Sequence, residues 1–162
     1  MKKINEIFSD FKENGNINTA SIESVVLKKK SKCLEMKIGS DKYIEINEIS
    51  KLSSFIKKRF LLNDSIISVD YADGTDKKPI QEELKNIMVL MADKYPVLKT
   101  IINDSEYEID DDNINFNFKA PMSDFFKKMN YDKQLCRAIN NLYGAKYNIN
   151  FIDKVGKKGP LP

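Results

Sequence analysis

Apolar residues in the first dozen positions recur at helical spacing: Ile4, Ile7, Phe8 and Phe11. They predict a short amphipathic helix over 1–13, closed by Asn14-Gly15-Asn16. The pattern then changes. Residues 21–29, with Ile22, Val25, Val26 and Leu27, read as a strand, and 32–38 sets Cys33, Glu35 and Lys37 against Leu34, Met36 and Ile38 as a half-buried strand does. Lys29-Lys30-Ser31-Lys32 is the turn between them, so the two form a hairpin. Tyr43, Ile44 and Ile46 predict a short third strand. Ile49, Leu52, Phe55, Ile56, Phe60 and Leu61 predict an amphipathic helix over 48–62, and Ser65 to Tyr71 a β-branched strand.

The second half follows the same order. Ile80, Leu84, Ile87, Met88 and Met91 lie on one helical stripe that Tyr95-Pro96 ends. Residues 105–110 and 113–119 alternate and are joined by Asp110-Asp111-Asp112-Asn113, a second hairpin. Helical spacing resumes at Met122, Phe125, Phe126 and Met129, breaks near Asn130-Tyr131-Asp132, and continues through Leu135, Ile139, Leu142 and Tyr143 to Gly144. Tyr147, Ile149 and Phe151 alternate as a last strand.

Each half therefore reads helix-strand-strand-helix-strand, enough for one small two-layer core. Phe55-Ile56-Lys57-Lys58 loosely echoes Phe125-Phe126-Lys127-Lys128. The expected fold class is α+β: a first domain over 1–73, a polar linker over 74–79, a second domain over 80–153, and a linker or tail over 154–162. A single mixed sheet is the alternative.

Composition narrows the chemistry. The 162 residues contain no histidine, which excludes Ser-His-Asp and Cys-His triads and His-bearing zinc sites. Two distant cysteines, Cys33 and Cys136, make neither a four-cysteine zinc site nor a disulfide framework; both read as structural. There is no apolar signal region after Met1-Lys2-Lys3 and no run long enough to cross a bilayer. A reduced, cytoplasmic chain is the simplest reading, with no membrane contact and no small-molecule substrate.

The net charge is only +3, so nucleic-acid affinity would have to come from local patches. Lys28, Lys29, Lys30 and Lys32 lie at the first hairpin tip, and Lys57, Lys58 and Arg59 late in the following helix. Brought together they would bind phosphate; apart they are a solvated face. No aromatic ladder interleaves them, so sequence-specific reading of single strands is not supported. The acidic run Asp104, Glu106, Glu108, Asp110, Asp111, Asp112 fails the EF-hand spacing and reads as a hairpin tip, with no metal expected. Gly156-Lys157-Lys158-Gly159 spells the KH-type GxxG string but follows the last strand, where no KH loop belongs. Tyr131, Tyr143 and Tyr147 are candidate partner-binding residues, since Tyr is enriched at interfaces. No catalytic group and no cofactor site emerge.

The hairpin Val25-Val26-Leu27-Lys28-Lys29-Lys30-Ser31-Lys32-Cys33-Leu34-Glu35, with the helix Ile49 to Phe60 and strand Ile66 to Tyr71, resembles the extreme N-terminal domain of the PolC-type DNA polymerase III α subunit of low-GC Gram-positive bacteria. Residues 79–153 resemble that family's second N-terminal domain, itself similar to the tau subunit's C-terminal domain, a truncated KH-like module. The resemblance implies a DNA-directed DNA polymerase with 3′–5′ exonuclease in the full-length protein. None of those catalytic motifs lies in these residues. It implies replisome partners, with the clamp-loader tau subunit as one, or DNA. Lys128-Met129-Asn130-Tyr131 stands near where a KH GxxG loop would fall, which favours a protein partner for the second domain. An unrelated adaptor protein of the same architecture is a further alternative.

Overall fold

A computed structural model describes residues 1–154, apart from the side chains of Ile102 and Asp104. The expected tail from Val155 on, with its GxxG string, lies outside the described residues. The protein is mixed α+β with two separate three-stranded sheets, not one mixed sheet. It divides into two compact units: Met1–Pro79 with Asn141–Gly144, and Ile80–Asn140 with the described residues from Ala145.

The first unit runs α1 (Ile4–Ile7), a 3-10 turn (Asn16–Thr19), β1 (Ser21–Lys28), β2 (Cys33–Ser40), α2 (Ile46–Phe60) and β3 (Asp64–Tyr71). The sheet order is β1-β2-β3. β1 is antiparallel to β2, and β3 is parallel to it. A parallel neighbour needs a crossover, and α2 is that crossover. Its buried stripe, Ile49, Leu52 and Ile56, lies over the sheet face carrying Leu34, Met36, Ile67 and Val69. The Ser53 hydroxyl donates to the Ser65 carbonyl at 3.0 Å and ties the helix to β3.

Two expectations fail here. The predicted helix over 1–13 is a single turn; Phe8 and Phe11 leave it but still pack on Phe55, with centroids 5.7 and 5.2 Å apart. Their spacing records burial against α2, not helical backbone. No strand forms at Tyr43–Ile46. Ile44 and Ile46 are buried at the entry to α2, whose first turn starts at Ile46. The Glu48 carboxylate accepts the Glu45 amide at 3.1 Å, a capping contact that settles the segment as a helix start. The Tyr71 hydroxyl clasps Ile44, accepting its amide at 3.0 Å and donating to its carbonyl at 3.2 Å.

The second unit runs α3 (Ile80–Lys94), α4 (Leu98–Asp104), β4 (Ser105–Asp110), β5 (Asn113–Phe118), α5 (Ser123–Lys128), α6 (Tyr131–Tyr143, up to Asn140 in this unit) and β6 (Asn148–Asp153). The order is β4-β5-β6, again an antiparallel hairpin and then a parallel strand. α4 was not expected; it begins two residues after Pro96, with Val97 as its N-cap, and is too short to show a period. The helical segment after Met122 is two helices, parted where Asn130 takes φ 60°. Phe116, Phe118, Phe126 and Phe151 fill the core, with Phe118 stacked on Phe126 at 5.2 Å. On the other face Asn113, Asn115 and Asn117 alternate with those aromatics, and Asn150 donates its amide to Asn115 at 2.8 Å. No helix among the described residues is long and apolar enough to cross a membrane.

Asp153 joins β6 to α5. Its carboxylate accepts the amides of Met122 (3.0 Å) and Ser123 (2.9 Å) and the Ser123 hydroxyl (2.6 Å). Partial desolvation pushes its pKa up, but these three bonds and the Lys127 charge together outweigh that and hold it below the ordinary 3.8. A carboxyl lowered in the folded state stabilises fully above its unfolded value and loses that contribution as pH falls through the folded one. Melting of the second unit should therefore drop as pH falls from about 5 to about 2, and less steeply in Asp153→Asn; equal slopes would remove Asp153 as the cause.

In the first unit, Leu52→Ala should cost about 2–5 kcal/mol by urea unfolding, since Leu52 is fully buried. Val26→Ala, at the half-exposed sheet edge, should cost under about 1 kcal/mol by the same measurement.

Candidate interaction interface

The topology decides where the basic residues meet. The β1–β2 tip sits at the start of β2, and β3 starts beside it because the two strands are parallel, with Cys33 paired to Asp64. α2 ends at Phe60, four residues before β3 begins. The tip and the helix end are then joined directly: the Asn63 amide donates to the Lys32 carbonyl at 2.8 Å, and the Asn63 side chain to the Ser31 carbonyl at 3.0 Å. The two basic runs therefore share one end of the unit.

Their members are not equivalent. Lys28 pairs with Glu35 at 3.3 Å. Arg59 pairs with Asp10 and lies over the Phe55 ring, 5.8 Å from its centroid. Lys29, Lys30, Lys32, Lys57 and Lys58 are exposed and make no ion pair among the described residues. Both chain reversals at this end use left-handed backbone, Lys32 at φ 51° and Leu61 at φ 54°. Leu61 closes α2 through its amide on the Lys57 carbonyl and leaves its side chain 83% exposed among the lysines.

Sequence reasoning missed the other half of this surface. Val25, Val26 and Leu27 read only as strand residues, and they are 49, 51 and 50% exposed. Val25 and Leu27 lie on the α2 face, paired with Met36 and Leu34, while Val26 lies on the open face beside Glu35. β1 is an edge strand that α2 does not cover. The available signal was the loss of alternation: three consecutive apolar residues in a strand must put one on each face.

The three tyrosines are not brought together. Tyr131 and Tyr143 open and close α6, about 18 Å apart along its axis. Both are buried, Tyr131 packing on Tyr95 and Phe126 at 5.9 and 5.6 Å. Tyr147 is half-buried, and desolvation, helped by the Asp112 charge, raises its hydroxyl pKa. The Cys136 thiol donates to the Tyr147 carbonyl at 3.1 Å and is itself raised, chiefly by desolvation, which suits an inert structural cysteine. Glu106, Glu108 and Asp110 lie along β4, and Asp111 and Asp112 form its tip. No group of three or more potential metal ligands stands close enough to hold an ion among the described residues. At the far end of the first unit, an open cleft of about 610 Å3 is lined by both signs of charge, including Lys3, Lys42, Asp41 and Asp70.

Residues 3–71 match the family described as DNA polymerase III polC-type N-terminus I, and residues 82–158 match N-terminus II. The chain belongs to the PolC-type DNA polymerase III N-terminal family. That membership gives it a role in DNA replication, and the gap between the two matched regions runs from the end of β3 through the polar stretch that follows into the start of α3. No curated protein matched the chain.

Proposed function

We propose that this chain is a non-catalytic docking region of a replicative polymerase, tethering it to another replisome protein, with the clamp-loader tau subunit as the first candidate. The observation that carries this is the half-exposed apolar edge Val25-Val26-Leu27, which leads straight into a lysine-rich tip. An apolar strip beside fixed charge has the composition of a recognition surface. The second unit supports the reading in another way. Read as the KH-like module that the family resemblance implies, it has Met129-Asn130 at the joint between α5 and α6 and lacks there the glycines that clamp a nucleotide backbone. Purified clamp loader, clamp and helicase should be passed over the immobilised chain. Capture of one, weakened by Lys29→Glu/Lys30→Glu, is the expected result. Capture of none, where intact polymerase captures one, refutes it.

The convergence at one end of five lysines that make no ion pair among the described residues favours a second reading, weak sequence-independent binding of DNA. If about four phosphates are neutralised on a single strand, affinity should fall roughly 50-fold between about 50 and about 200 mM salt. Fluorescence anisotropy with labelled single-stranded DNA measures this. Binding that survives reversal of Lys29, Lys30 and Lys32 to Glu would exclude the tip as the site.

A further inference from the structure

We infer that the outer edge of β1 takes an extended acidic segment of a partner protein as a fourth strand of the first sheet. This rests on the docking reading above and gives it a chemistry.

Three observations point there. The rim is open over a defined length: the Lys2 carbonyl accepts the Ile22 amide at 2.8 Å, so the start of β1 is covered, while no strand lies beyond Ser24–Lys28 among the described residues. Five residues span about 17 Å, enough for a short added strand. Next, the middle of the edge carries no charge, its protection being confined to the two ends. Edge strands are normally blunted by charge. The corresponding edge of the second unit obeys this, with Glu106, Glu108 and Asp110 alternating along β4. β1 instead keeps Ser24-Val25-Val26-Leu27 uncharged between an irregularity at Ile22/Ser24 and Lys28. Last, charge selects the occupant. A strand laid on this rim sets one face beside Val25 and Leu27 and the other beside Val26 and Lys28, and its end runs past Lys29, Lys30 and Lys32, so it should alternate apolar residues on the first face with carboxylates on the second. Main-chain bonds then supply affinity and the lysines supply direction and specificity.

The probe is an eight-residue fluorescein-labelled peptide alternating valine and glutamate, titrated against the whole chain by anisotropy. A shuffled peptide of the same composition, with its glutamates grouped, is the control. Amide hydrogen exchange is read in parallel. The inference expects at least tenfold preference for the alternating peptide and slowed exchange confined to 24–28. It also expects at least tenfold loss in Lys29→Glu/Lys30→Glu, whose exposed positions leave the fold intact. Equal binding of both peptides, or unchanged exchange at 24–28 under saturation, overturns it. So does concentration-dependent self-association in sedimentation that Glu106→Lys/Glu108→Lys abolishes, which would make the occupant a second copy. If a replisome protein is captured while exchange at 24–28 stays unchanged, docking survives and strand addition fails. If nothing is captured, the docking reading itself falls.

Discussion

The parallel pairing of a third strand with the second is the constraint on which the first unit depends. A hairpin alone leaves one face of two strands in water and is marginal. Bringing β3 in parallel forces the chain over the sheet, so α2 must cover one face, and its apolar stripe and the buried face of β2 become one core. The same step fixes polarity. β3 can start only where β2 starts, so the hairpin tip and the C-terminus of the crossover helix are held at one end. The lysine cluster is a by-product of strand direction.

The second unit obeys the same rule with opposite charge. β6 runs parallel to β5 and begins beside the β4–β5 tip, where the Asn148 amide meets the Asp112 carbonyl at 2.7 Å. Here the tip is Asp110-Asp111-Asp112. A net charge of +3 thus conceals a basic tip on one unit and an acidic tip on the other. Composition averages over a segregation that topology creates.

Both hairpins, α2, α3 and the final strands were legible, because the apolar pattern, helical in α2 and α3 and strand-like elsewhere, agrees with the turn residues that bound each. Phe8 and Phe11 misled because helical spacing marks a buried face, and a loop pressed on α2 buries the same face. Ile44 and Ile46 misled because a helix entry also alternates, and only the Glu45/Glu48 pair distinguished it. The convergence of Lys29–Lys32 with Lys57 and Lys58 was open in the sequence but could have been reached: a helix between neighbouring strands implies a parallel pair. The exposure of Val25 to Leu27 was signalled only by the lost alternation, which puts an apolar residue on each face without saying that the strand is an edge.

Asn63 has a thermodynamic consequence. By bonding the carbonyls of Ser31 and Lys32 it holds the tip's backbone in one shape before anything arrives. Ordering a backbone residue costs about 1–2 kcal/mol, and here folding has already met that cost. A ligand landing on the lysines immobilises side chains alone, so its affinity is limited by ammonium desolvation and rotamer loss, and the tip acts as a rigid template whose shape belongs to the fold.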